Sequence, residues 1–259
     1  MMQISARTRA QAVTNAADAL HVALPPAYVE QFAEAEAFAE AANQTVCQKE
    51  TLHRVVLDAI QEGRDYLADP VIQRMALNAQ LTSQNILASA RSRSEQLMLA
   101  ALADHADDIL DGWADALDDH SAKLAAAAEA GVNLNDAAGA VARGGAMMTH
   151  LHNAQVAMKA WTAAANGFYA LAAVAGVRIN ADPVIVLTPA SLADLAPAFE
   201  MARDERAREV GVWALSRCGL PLRLATLDEF KVRAAQMKAD AQAEARNHAA
   251  RANAAGFSR

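Results

Sequence analysis

The sequence predicts a mainly α protein: an elongated multi-helix bundle of long alanine-rich helices, with one small two-stranded β element near the C-terminal third. About a quarter of the 259 residues are alanine, which has the highest helix propensity. Apolar side chains recur three and four residues apart along most of the chain, which is the spacing of one helix face. The 7 prolines and 11 glycines lie far apart, so the helices between them can be long.

Composition excludes several classes of protein. With 54% hydrophobic and 20% charged residues, the chain can form a core and is not predicted to be disordered. Its 2 cysteines, Cys47 and Cys218, are too few for a disulfide framework, and we expect reduced thiols. The net charge of -7 argues against a dedicated nucleic-acid binder. Residues 1–24 lack the apolar run of a signal peptide, so we expect a cytoplasmic location.

The first helices are bounded by residues that cap or stop a helix. Ser5 is predicted to cap the first one. The prolines at 25 and 26 end it and begin the second, because proline fits only the first turn of a helix. The polar residues 43–45 are predicted to interrupt the second helix. Asp69 and Pro70 then begin another, with Asp69 as the N-cap and Pro70 at the first helical position.

The middle of the chain contains a long uncharged run. The polar residues 91–94 are predicted to separate two helices, with Ser94 as the cap of a helix that ends at Gly131. The next helical segment spans 137–175. Its C-terminal part lies within a stretch, from 160 to 177, that has no charged residue. A helix that is apolar on every side must be covered. We expect a core helix; a surface covered by other subunits and a membrane-inserted segment are the alternatives.

The pattern changes after Gly176. The short β-branched run 184–187 is predicted to be a strand, because prolines bound it and β-branched residues favour strands. Residues 222–225 alternate in polarity and are predicted to be its partner. A helix from about 197 to 217 is expected to lie between the two strands.

A capping box at Thr226–Glu229 is predicted to begin the last helix, since a threonine N-cap and a glutamate three residues later can satisfy each other's backbone N–H groups. We therefore predict three parts: an all-helical body over 1–176, a small mixed α/β unit over 177–226, and a C-terminal helix with a basic tail over 227–259.

The sharpest candidate site is an acidic motif of the form DDxxD. On a helix, Asp107, Asp108 and Asp111 lie near one face, and such carboxylates can hold Mg²⁺, which prefers oxygen ligands and bridges to diphosphate. In this motif the chain resembles class I isoprenoid synthases, which are also all-helical. The resemblance implies ionisation of a diphosphate with these three residues as metal ligands. Class I isoprenoid synthases also have a second metal motif. Residues 135–136 begin a similar pattern here, but the later positions do not match it, and the sequence has no cluster of Arg and Lys to bind the diphosphate.

Two weaker ligand patterns are present. Glu50 and His53 have the ExxH spacing of di-iron bundles, without a second ExxH. Met147-Met148 lies close to His150 and His152, a set of soft ligands. On a helix the two histidines would point apart, so metal binding there requires a strand or a broken turn. Core methionines and surface histidines are the alternative.

The three tryptophans, Trp113, Trp161 and Trp213, are predicted to anchor the core, with interface roles as the alternative. Charge is also segregated along the chain. An acidic stretch has no Lys or Arg and contains Asp104, Asp107, Asp108, Asp111, Asp115, Asp118 and Asp119. The tail from Lys231 onward is net basic, so the two regions can attract each other within one chain or between copies.

Together these features favour a non-enzymatic structural or assembly protein, an oligomeric and scaffold-like subunit that acts through helix–helix contacts. The composition is similar to that of scaffold components of phage-like particles. Other copies of the chain or other protein subunits are the expected partners, and neither nucleic acid nor a membrane is expected. No catalytic residue and no cofactor is predicted. The alternatives are an Mg²⁺-dependent helical enzyme that acts on a diphosphate through the acidic motif, and a membrane-associated helical protein.

Overall fold

The computed structural model describes residues 4–44, 46, 48–179 and 183–256, with side chains described up to residue 247. Over these ranges the chain is mainly helical, as predicted, with 77% helix in 12 helices. Cys47 and the end of the basic tail lie outside the described residues and side chains. The helices in chain order are α1 (Ala6–Leu20), α2 (Pro26–Gln44), α3 (Lys49–Gln61), α4 (Pro70–Ser83), α5 (Ile86–Asp104), α6 (Ala106–Glu129), α7 (Ala137–Ala142), α8 (Gly145–Val174), α9 (Val184–Leu187), α10 (Leu192–Asp204), α11 (Val212–Arg217) and α12 (Leu227–Gly256).

The chain divides into two compact units. The smaller unit consists of Met1–Arg7 and Pro26–Leu102, and the larger unit consists of Thr8–Pro25 and Ala103–Arg259. The three-part division expected from the sequence, with boundaries at 176 and 226, remains a prediction.

The core of the larger unit lies between α6 and α8. The uncharged run is part of α8, and the prediction of a core helix there is confirmed, because its buried residues recur every three or four positions and include Trp161, Phe168 and Leu171. The backbones approach closely at Gly167: a Cβ atom at this position would lie 2.4 Å from the Trp113 ring and 3.0 Å from the Ala16 side chain. Only a hydrogen fits there, so small residues bring these helices together.

The smaller unit has a thin core. The buried residues Ala35 of α2 and Met98 of α5 form one cluster with Ala6, and Phe32 packs against it. Helices α3 and α4 pack against each other as a helical hairpin. The buried residues of this hairpin are Ala59 in α3 and Ile72 and Ala79 in α4. Since alanine buries little apolar area, this core gives less stabilisation than one built from leucine or phenylalanine.

The predicted helix break at 91–94 is wrong, because α5 is continuous through these residues. Ser94 does not cap a helix. Its buried hydroxyl donates to the carbonyl oxygen of Ala35 at 2.6 Å, so a partner in α2 satisfies the polar group inside the helix. The break comes instead at His105, which separates α5 from α6.

The predicted two-stranded β element is also wrong: the described residues contain no strand. Val184–Leu187 form one buried turn of helix, α9, rather than a strand. The extended residues 222–225 still meet it, since the N–H groups of Arg223 and Ala225 donate to the carbonyls of Leu187 and Val186, each at 2.9 Å. The last carbonyl groups of a helix have no N–H partner within the helix. Here the backbone N–H groups of the neighbouring segment serve as their donors. The single helix expected from 197 to 217 is two helices, α10 and α11.

Two of the predicted helix starts are confirmed by their caps. The Asp69 carboxylate accepts the N–H groups of Val71 and Ile72, with Pro70 as the first helical residue. Thr226 and Glu229 form the capping box, with bonds of 3.1 and 3.4 Å.

None of the helices within the described ranges is both long and apolar enough to cross a membrane.

Candidate functional site

The DDxxD residues lie at the start of α6, and the structure gives each a different environment. One oxygen of Asp107 accepts the backbone N–H of Leu227, the first residue of α12, at 2.6 Å. Asp108 lies exposed, 3.7 Å from Nδ1 of His105. Partial loss of hydration, followed by the negative charges of Glu229 and Asp107, raises the pKa of the Asp111 carboxyl above its ordinary value.

Asp107 therefore has a structural role in the larger unit. A carboxylate at the N-terminus of α12 satisfies a backbone donor and interacts favourably with the positive end of the helix dipole. In the part of the chain that the structure describes, no three His, Cys, Asp or Glu side chains are grouped so that they could hold a metal ion. Mg²⁺ binding by Asp107, Asp108 and Asp111 remains a hypothesis from the sequence.

Arg233 is a central residue of this region, although its place in the sequence indicated only that it belongs to a basic tail. Its side chain is 11% exposed. It donates to the carbonyls of Ile185 and Arg223, at 3.1 and 2.9 Å, and to Glu229 at 3.0 Å. Burial lowers the pKa of the guanidinium, and the Glu229 carboxylate opposes that shift. The spacing of Glu229 and Arg233, four residues apart on one helix, is the signal that could have identified this pair.

The two weaker ligand patterns are placed on helix surfaces. Glu50 and His53 are exposed on α3. The Met–His cluster is in α8, so the strand or broken turn that metal binding would need is not there. His150 and His152 lie two residues apart on this helix and therefore point in different directions.

The most unusual surface lies on the α3–α4 hairpin of the smaller unit. Five large apolar side chains are each 54% to 70% exposed: Leu57, Ile60, Leu67, Val71 and Leu77. We call them the hairpin surface. Single exposed apolar residues are ordinary in proteins, but five within two consecutive helices and their connection make the exterior of this hairpin unusually apolar, which favours a surface that another protein covers. The hydrophobic pattern of α3 was visible in the sequence, but not which of its residues α4 leaves uncovered.

Comparison with known proteins adds no assignment to this geometry. No family model, no curated protein and no solved structure matches the chain.

Proposed function

We propose that this chain is a non-enzymatic structural or assembly protein whose copies associate through helix–helix contacts. The observation that carries the proposal is the hairpin surface. Burying one leucine, isoleucine or valine side chain contributes about 1.5–3 kcal/mol, so covering five partly exposed ones provides a substantial driving force for association.

The chemistry of the hairpin supports a second copy of the chain as the occupant. From Lys49 to Ser83 the sequence contains 4 basic and 5 acidic residues, which nearly cancel, whereas the whole chain has a net charge of -7. Two identical hairpins can therefore meet without strong repulsion between like charges. A twofold arrangement would place the same apolar patch on both sides of the contact.

The uncharged run in α8, which favoured assembly at the level of the sequence, does not support this proposal. The structure buries one face of α8, including Trp161, Phe168 and Leu171, and α8 packs against α6 within the larger unit. A surface other than this buried face is therefore the better candidate for association, and the hairpin offers one.

Light scattering coupled to size-exclusion chromatography, over a range of protein concentrations, tests the proposal. The wild-type chain should form a dimer or a larger oligomer. The double variant Leu57→Lys and Val71→Lys should raise the dissociation constant at least about 30-fold, the factor that corresponds to 2 kcal/mol. Both side chains are exposed, so circular dichroism should show an unchanged helix content.

The matched control is Val232→Lys in α12, because Val232 is 70% exposed and lies outside the hairpin. It should leave the oligomeric state unchanged. A wild-type chain that stays monomeric at every concentration would contradict the proposal, and so would an oligomer that both variants leave intact.

A further inference from the structure

A groove of about 720 Å³ lies in the larger unit, beside the C-terminal end of α6. One wall is formed by Trp213 and Arg217 of α11 with Glu205. The loop that follows α6 forms the other wall, through Asn133 and Asn135. A concave site lined by one aromatic side chain and several polar ones has the composition of a small-ligand site.

Trp213 differs from the other two tryptophans. Trp113 and Trp161 are each 1% exposed and belong to the core, whereas Trp213 is only partly buried and faces the groove. The face of an indole is large, flat and apolar, and it carries the negative side of the ring quadrupole. It therefore attracts C–H groups that carry a small positive charge, such as those on the face of a sugar ring.

The charge in the groove is balanced. Nη1 of Arg217 donates to Oε1 of Glu205, so the guanidinium and the carboxylate neutralise each other. Their side chains remain 39% and 50% exposed, which leaves further N–H donors beside a free carboxylate oxygen. The groove thus presents donors and acceptors side by side without a net charge.

The opposite wall is held in place by its own hydrogen bonds. The side-chain oxygen of Asn133 accepts the backbone N–H of Asn135 at 3.0 Å, which leaves the amide NH₂ group free to donate. Arg143 donates to the carbonyls of Gly131 and Ala130, at 3.0 and 3.1 Å, and so fixes the start of the loop. A preformed wall reduces the entropy that a ligand loses on binding.

We infer that this groove binds a neutral, polyhydroxylated ligand of the saccharide class. One ring would stack on Trp213, while its hydroxyl groups exchange hydrogen bonds with Arg217, Glu205 and Asn135. An anion is disfavoured because Glu205 already neutralises Arg217, the cation among the described residues that line the groove. A wholly apolar ligand is disfavoured because it would cover these polar groups without satisfying them.

The test is calorimetric titration of the full chain with three neutral probes, cellotetraose, maltotetraose and chitotetraose, and with inorganic phosphate as an anionic probe. At least one oligosaccharide should bind saturably and change the tryptophan fluorescence. The Trp213→Ala variant should weaken that binding at least about tenfold. Trp213→Phe keeps an aromatic face and should stay within about threefold of the wild type.

Asn135→Ala removes an exposed amide, so it tests the site with little expected effect on folding, and it should also weaken binding. The hairpin variant Leu57→Lys and Val71→Lys should bind the oligosaccharide as the wild type does, which separates this site from the proposed assembly. The inference is overturned if none of the three oligosaccharides binds at millimolar concentration. It is also overturned if Trp213→Ala binds unchanged, or if phosphate binds in the groove instead.

Discussion

One carboxylate oxygen of Asp107 in α6 accepts the backbone N–H of Leu227, the first residue of α12, at 2.6 Å. The local cap of α12, Thr226, accepts the N–H of Glu229 at 3.1 Å. The start of this helix is therefore capped twice, once by its own capping box and once by a side chain 120 residues away in sequence. The second cap connects α12 to the core helix α6.

Replacing Asp107 should reveal how much this connection contributes. Asp107→Ala leaves the Leu227 N–H without its carboxylate acceptor and should lower the free energy of unfolding by about 1–2 kcal/mol. Asp108→Ala is the matched control, because its side chain is 72% exposed, and it should change stability by less than about 0.5 kcal/mol. Urea unfolding followed by circular dichroism measures both. Equal effects of the two substitutions would show that the bond to Leu227 contributes nothing.

The close approach at Gly167 leads to an unusual expectation for a glycine-to-alanine change. In a helix interior, that change normally stabilises by up to about 1 kcal/mol. At Gly167 the added methyl group would lie 2.4 Å from the Trp113 ring, so Gly167→Ala should instead destabilise the larger unit, by about 1–3 kcal/mol. Gly112→Ala is the control, since its Cβ would meet Val22 at an ordinary 3.8 Å. Thermal unfolding of the two variants should shift in opposite directions.

His120 should make the stability of the fold depend on pH. Loss of hydration and the Lys123 ammonium lower the pKa of its imidazole, and its buried Nδ1 has no hydrogen-bond partner among the described residues. The unfolded chain therefore takes up the proton at a higher pH than the folded chain. Above the ordinary pKa of histidine, His120 is neutral in both states and its contribution to stability is fully present. As the pH falls below that value, towards the lower pKa of His120 in the folded chain, the unfolded chain binds a proton first and this stability is lost. His120→Gln should flatten this decline, measured by urea unfolding between about pH 7 and pH 5.

The control for His120 is His152→Gln, because His152 is exposed on α8. It should leave the decline in stability unchanged. If His120→Gln retains the full pH dependence, another group is responsible for it.

Salt distinguishes two modes of association. If the apolar hairpin surface mediates assembly, raising the ionic strength from about 0.1 M to 1 M should leave the oligomer intact, although the Debye length falls from about 10 Å to 3 Å. If the acidic stretch binds the basic tail of another copy, the same change should dissociate it. Light scattering at both salt concentrations decides. Dissociation in high salt would indicate that copies of the chain associate through α6 and α12 and not through the hairpin.

Local signals were sufficient for part of the fold. The caps at Asp69 and Thr226 depend on residues within four positions, so the sequence alone could predict where these helices begin. Long-range contacts account for the errors. Ser94 stays inside a helix because Ala35 accepts its proton, and 184–187 form a helical turn although β-branched residues favour strands.

The functional surfaces were harder to predict, for the same reason. The DDxxD pattern indicated a metal site, and only the fold shows that Asp107 faces the start of α12. Nothing in the sequence distinguishes Trp213 from the two core tryptophans, because its exposure depends on the loop after α6. The apolar character of α3 was evident, but the positions that α4 leaves uncovered depend on how the two helices pack.

The contact between Gly167 and Trp113 also constrains how this sequence can evolve. The Trp113 indole occupies the space that a side chain at position 167 would need, so enlarging position 167 alone costs stability. In homologous chains, any side chain at position 167 should be accompanied by a smaller residue at position 113. Such a paired change would be a sensitive mark of common ancestry even where the rest of an alanine-rich helix has diverged.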